Sequence, residues 1–348
     1  MISTSKVWCV ALGLVSGAAW GVEVNKAQLA LFGKLPAEWP NPNNPFSEEK
    51  VKLGRMLFYD ARLSLSQEIA CNSCHSLDRF GVDNLQFSNG HAGALTGRNS
   101  PTVYNAAAHV AQFWDGRAAT VEDQAKGPIL AGGEMAMPNA DYVIKVLKSI
   151  PGYAPLFKSA FPGEADPINY DNVAKAIGVF ERKLSTPSRF DQYVAGEESA
   201  LSDQEKRGLS TFLATGCATC HIGPTVGGIM YQKLGLVKAW PALADEGRSK
   251  VSGNEAEKGF FKVPSLRNIE KTAPYLHDGS VQSLNLMIAL MAEYQLGKAL
   301  TTPEIDDIAA FLRSLTGKID HEYIAKPELP ASGPKTPAPV HTPVGQAH

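Results

Sequence analysis

The chain has 348 residues, a formal net charge of −2, 44% hydrophobic residues and five cysteines. That length accommodates two domains of ordinary size, and the near-neutral charge argues against a nucleic-acid partner.

Taken in chain order, residues 1–6 form a short basic lead, residues 7–19 an apolar run, and Ala18, Ala19 and Gly21 a small-residue cleavage region. This is an export signal over residues 1–21, too short to span a bilayer, with a retained N-terminal anchor as the alternative. Residues 47–58 are loosely amphipathic and precede Cys71-Asn72-Ser73-Cys74-His75. A Gly/Asn/Pro-rich stretch over 78–101 follows, and then helical spacing at 141–150 and 170–184. Thr186-Pro187-Ser188 interrupts the periodicity and marks a boundary at 185–191. Residues 202–215 carry a Ser202/Glu205 capping box and lead to Cys217-Ala218-Thr219-Cys220-His221. A second long loop occupies 222–263, and helices are predicted at 283–296 and 303–315, the latter with Thr302 as N-cap and Pro303 at N1. The Pro-rich end of the chain reads as an extended or disordered strap.

The pentapeptides decide the chemistry. Two thiols two residues apart on a helical turn can form thioethers to the vinyl groups of one porphyrin, and the adjacent histidine then ligates the iron. A zinc site would place its second cysteine pair within about 20 residues, and no thioredoxin-like βαβ pattern surrounds either motif. Two covalently bound haem c groups are therefore expected, held by Cys71, Cys74 and His75 and by Cys217, Cys220 and His221. The fifth cysteine, Cys9, lies in the export signal, so no disulfide is expected. Such haems are normally attached outside the bacterial cytoplasm, and with the signal this predicts a periplasmic protein.

The fold class expected is mainly α: two cytochrome c-like domains, residues 22–185 and 186–322, each built around one c-type haem with long loops, and a Pro-rich tail at 323–348. A helix ahead of each haem motif and another after it suggest a duplication.

Several linked motifs are similar to those of the bacterial di-haem cytochrome c peroxidases: Leu53-Gly54-Arg55-Met56-Leu57-Phe58, Gly97-Arg98-Asn99-Ser100-Pro101-Thr102, Gln112-Phe113-Trp114-Asp115-Gly116-Arg117, Glu122-Asp123-Gln124-Ala125-Lys126-Gly127-Pro128, Thr272-Ala273-Pro274-Tyr275-Leu276-His277-Asp278-Gly279 and Met291-Ala292-Glu293-Tyr294-Gln295-Leu296-Gly297. The resemblance runs over residues 46–317. It implies reduction of hydrogen peroxide to water with electrons from a small cytochrome c or cupredoxin; a homodimer without a membrane span in the mature chain is expected.

The same resemblance assigns residues. Met291 lies on an apolar helix and is as readily a core residue, but its position implies the sixth ligand of a high-potential C-terminal haem. His91, in Ser88-Asn89-Gly90-His91-Ala92-Gly93, is implied as the sixth ligand of a low-potential N-terminal haem, with His109 a competitor. Gly90 and Gly93 would let that loop swing away. Glu134 is implied as acid/base and Gln124 as an orienting amide, although from sequence alone both are ordinary surface residues. Trp114 is implied to lie between the haems, and Asn99, Thr272 and Pro274 to hold calcium. Two rivals stand beside this reading. One is a related enzyme that oxidises a protein substrate through a tyrosine-ligated haem, for which Tyr294 is placed; the other is a non-catalytic electron carrier or redox sensor.

Overall fold

The structure, a computed structural model, describes residues 24–343 apart from residue 242. The expected export signal and Cys9 lie outside the described residues.

Helices dominate. In the first half they are α1 (Glu48–Tyr59), α2 (Val121–Leu130), α3 (Ala140–Lys148), α4 (Tyr153–Ala160) and α5 (Tyr170–Glu181). In the second half α6 (Asp203–Thr215) is followed by a short antiparallel ribbon, β1 (Tyr231–Lys233) with β2 (Phe260–Lys262), and then by α7 (Leu284–Leu296) and α8 (Thr302–Ser314). Polar caps begin most of them: Ser47, Thr120, Asn139, Asn169 and Ser283 each accept from a backbone N–H of the first turn, offsetting an orphan donor. The Ser202/Glu205 box is present as read. The box on α8, however, is built by Thr301 rather than Thr302, because a box needs its acid three residues beyond the cap and that acid is Glu304.

The two halves repeat one packing device. Gly54 on α1 lies so close to α5 that a Cβ there would sit 1.9 Å from the Ala176 carbonyl oxygen and 3.0 Å from Phe180 Cβ. Gly208 on α6 meets α8 in the same way, 1.8 Å from the Asp307 carbonyl oxygen and 2.9 Å from Phe311 Cβ. In each case a glycine lets the helix before a haem motif touch the backbone of a later helix, and a phenylalanine one turn on fills the core beside it.

Each half has its own apolar core, and the chain ends exchange halves. Phe32, expected in the N-terminal domain, packs edge-on against Phe190 at 5.1 Å in the second core. Ile319 and Ile324 lie in the first core, where Tyr323 stacks on Phe180 at 5.2 Å and donates its hydroxyl to the Phe180 carbonyl. The described part of the tail, residues 323–343, runs as an extended strap along the first half, tied to it at Arg62 and Gln67.

Candidate functional site

Residues Cys71–Cys74 form a single helical turn, closed by Ser73, whose hydroxyl accepts from the Ala70 amide at 3.0 Å. That turn delivers His75 to the cavity wall, with Nδ1 3.3 Å from the Gly81 carbonyl. A carbonyl at Nδ1 fixes the tautomer and leaves Nε2 with a free lone pair, the usual arrangement of a metal-binding imidazole. In the second half Cys217–Thr219 is a tight 3₁₀ turn after α6, and the His221 amide donates to the Cys217 carbonyl at 3.1 Å. The four cysteines of the two motifs are free of disulfides.

Both pentapeptides face one cavity of about 740 Å³ that runs between the halves. Its walls are largely hydrophobic side chains, from Ile177 and Met135 at one end to Phe212, Leu266 and Ile288 at the other. Burial lowers the pKa of both imidazoles, that of His221 to about 4 against the opposing pull of the Val226 and Pro264 carbonyls, so both are held in the neutral, metal-binding form. His221 Nδ1 is buried without a hydrogen bond of ordinary geometry. An apolar chamber entered by two thiol pairs and two neutral imidazoles fits two covalently held haems.

Most of the other residues singled out from sequence converge on this cavity. Gln124 reaches it from α2, Glu134 from the loop after α2, and Trp114, Met291, Asn99, Thr272 and Pro274 line it as well. Burial raises the pKa of Glu134, with Arg117 pulling the other way. Trp114 stitches the halves together: its indole donates to the Asn99 carbonyl at 2.9 Å, and its own carbonyl accepts from the Lys262 amide at 2.7 Å. Nearby, Arg98 binds Asp115 at 2.6 Å and Asp245 at 2.7 Å, an ionic clasp across the junction that the sequence did not disclose. Tyr294 is not among the described lining residues; its ring packs 4.9 Å from Trp240.

Two sets of expected site residues are engaged with other partners in this structure. His91 does not share the lining of the cavity with His75. It is 2% exposed, its amide donates to the Glu134 carbonyl at 2.8 Å, and its Nε2 donates to the Thr342 carbonyl at 2.9 Å. In this arrangement the ring is held by a carbonyl of the strap. Gly90, expected as a hinge, is needed for a close approach instead: a Cβ there would lie 1.9 Å from the Gly133 carbonyl oxygen. For the calcium expectation, Asn99, Thr272 and Pro274 all line the cavity, and the Asn99 side-chain nitrogen donates to the Leu85 carbonyl at 2.8 Å.

One pair escaped the sequence reading. Lys262, only 6% exposed, donates to Nδ1 of His109 at 3.0 Å, and burial pushes its pKa down to about 7. Both line the cavity, so His109 serves this lysine.

A family model described as di-haem cytochrome c peroxidase matches residues 48–199. The cytochrome c551 peroxidase of Pseudomonas aeruginosa is 42% identical over 316 residues, covering 89% of this chain and 90% of that protein. The chain belongs to the di-haem cytochrome c peroxidase family. The cytochrome c551 peroxidase of Nitrosomonas europaea is 43% identical, over 84% of this chain and 87% of its own. A solved MauG-like protein associated with microbial copper homeostasis superposes with a TM-score of 0.73 at 30% identity, covering 88% of this chain and 97% of its own. The chain is thus an oxidoreductase of this peroxidase family with two cytochrome c-like halves, and among the described residues no helix is long and apolar enough to cross a membrane.

Proposed function

We propose that this di-haem peroxidase reduces hydrogen peroxide to water in the periplasm, with electrons from a small cytochrome c or cupredoxin. The observation that carries the reading is the convergence of Glu134 and Gln124 on the cavity that both Cys-x-x-Cys-His motifs enter. Cys71, Cys74 and His75 would hold the N-terminal haem, and Cys217, Cys220, His221 and Met291 the C-terminal one. When bound, the haems supply the iron at which the oxygen–oxygen bond is cleaved and the store for the electrons.

The remaining work belongs to the side chains. Glu134 takes the proton from the near oxygen of peroxide and returns it to the far one, and the burial that raises its pKa suits it to holding that proton. The Gln124 amide orients the peroxide, and Trp114 bridges the two halves. His91 would supply a second imidazole to hold the N-terminal haem, and its release would give peroxide access to the site that Glu134 and Gln124 serve. Asn99, Thr272 and Pro274 would offer oxygen ligands to calcium at the junction, and the enzyme would work as a homodimer. The packing of Tyr294 on Trp240 favours Met291 over a tyrosine ligand on α7.

Stopped-flow measurement of the first reaction with peroxide tests the scheme, in oxidised and half-reduced wild type and in oxidised His91→Gly. The half-reduced enzyme and the variant should react fast, the oxidised wild type slowly. Equal rates in all three would remove His91 as the gate, and haem reduction without peroxide consumption would reduce the protein to an electron carrier.

A further inference from the structure

We propose that the carboxy-terminal strap is a latch for the His91 loop, and that the carbonyl of Thr342 competes with the N-terminal haem iron for one nitrogen of His91. This deepens the function proposed above and rests on its assignment of His91 as sixth ligand.

The chemistry of the imidazole makes the two seats exclusive. A carbonyl oxygen only accepts, so at 2.9 Å from Thr342 the Nε2 of His91 carries a hydrogen. A ring nitrogen that carries hydrogen has no lone pair to give a metal. The other nitrogen, Nδ1, is buried and makes no hydrogen bond, so the strap supplies the ring's one polar partner.

The latch is built from both sides. On the loop side, the His91 amide is fixed to the Glu134 carbonyl at 2.8 Å, and the bare Cα of Gly90 lies against Gly133. On the strap side, the Pro330 carbonyl accepts from Arg62 at 2.8 Å, the Pro337 carbonyl from Gln67 at 2.8 Å, and the Val340 amide donates to the Leu65 carbonyl at 2.9 Å. Leu65 in turn donates its own amide to the carbonyl of Met135, the neighbour of Glu134, at 2.8 Å. The hydrogen bonds thus close a ring from Thr342 through the strap to Leu65, across to the Glu134 loop and back to His91. Pro334, Pro337, Pro339 and Pro343 hold this part of the strap extended, which lowers the entropy lost when it docks. A contact between residues 251 positions apart that also fixes the loop beside Glu134 can set how often His91 stands clear of the iron.

Two variants of the full holoprotein test this: a chain ending at Val340, which removes Thr342, and Val340→Pro, which keeps the length but deletes the amide that anchors the strap end. The readout is the EPR spectrum of the fully oxidised protein, in which a bis-imidazole N-terminal haem is low-spin and one lacking its sixth ligand is high-spin. Loss of one hydrogen bond from the open arrangement should raise the ratio of low-spin to high-spin N-terminal haem by about threefold to tenfold in both variants. Spectra of both variants that overlay the wild type would overturn the latch. His91→Gly in the otherwise intact chain separates the two levels of the argument. If it abolishes the low-spin component while the strap variants change nothing, only the latch fails; if it leaves the low-spin component intact, His91 is no ligand and the underlying assignment fails. Amide exchange in the unaltered protein gives an independent check, since the Val340 amide should exchange more slowly when His91 is off the iron in the half-reduced state. Identical exchange in both redox states would likewise overturn the proposal.

Discussion

Replacing Glu122 by Gln should destabilise the N-terminal half by an amount that shrinks in acid. Glu122 stands on α2, two residues before Gln124, and its carboxylate is the hub of a buried network. Arg182 donates to both of its oxygens at 2.8 Å, and the Asn44 and Asn41 amides add bonds of 3.0 and 3.2 Å. Its methylene chain fills the space over Gly178 on α5, so the network fastens the helix that presents Gln124 to the helix that underlies the first core. Burial by itself would raise this carboxyl's pKa, but the Arg182 guanidinium and the Asn44 amide hold it at about 2 instead of 4.5. At roughly 1.4 kcal/mol per unit of pKa, those contacts contribute on the order of 3 kcal/mol when the carboxylate is charged. The folded pKa is depressed, so this stability is fully present above the unfolded value and is lost as pH falls towards the folded one. Linkage then gives a wild-type advantage over Glu122→Gln of about 3 kcal/mol at pH 7 and about 2 kcal/mol at pH 3.5, vanishing below about pH 2. Urea unfolding of the two holoproteins at both pH values measures it. A difference that stays constant or grows on acidification would show that the charge at Glu122 is not what secures α2.

Other outcomes follow from the site and the packing. Glu134→Gln keeps the shape of the side chain but cannot carry the proton, so peroxide turnover should fall by about 10²–10⁴-fold with both haem spectra intact. Because burial raises the pKa of Glu134, the wild-type rate should decline on acidification at a higher pH than an ordinary carboxylate would give, and the Gln variant should lack that limb of the rate profile. Met291→His should keep the C-terminal haem low-spin and lower its midpoint potential, so that a redox titration no longer reduces that haem first; a titration overlaying the wild type would remove Met291 as ligand. Gly208→Ala places a methyl 1.8 Å from the Asp307 carbonyl oxygen, so α6 and α8 must separate. A loss of about 1–3 kcal/mol or more in denaturant unfolding is expected, and an unchanged midpoint would mean that the helices part without cost.

Much of the chemistry could be read from local spacing. Cys-x-x-Cys-His needs only five consecutive residues to place two sulfurs and an imidazole, and Ser202 with Glu205 completes its capping box within one turn. Features of that kind are fixed by covalent geometry and the helical repeat, so the sequence alone determined the two haem motifs, most helices and the paired halves. It missed α4 as a separate helix and the β1–β2 ribbon, whose strands have three residues each and are held by pairing across the chain, including the bond from Lys262 to Trp114. The crossing of the chain ends was equally hidden, since nothing near Phe32 in sequence says that its partner is Phe190. Tertiary structure alone decided the burial of Glu134, the pairing of Lys262 with His109, and the seat of His91. Desolvation of a carboxylate and capture of an imidazole by a carbonyl 251 residues away depend on which surfaces the fold brings together, and no local pattern encodes that distance.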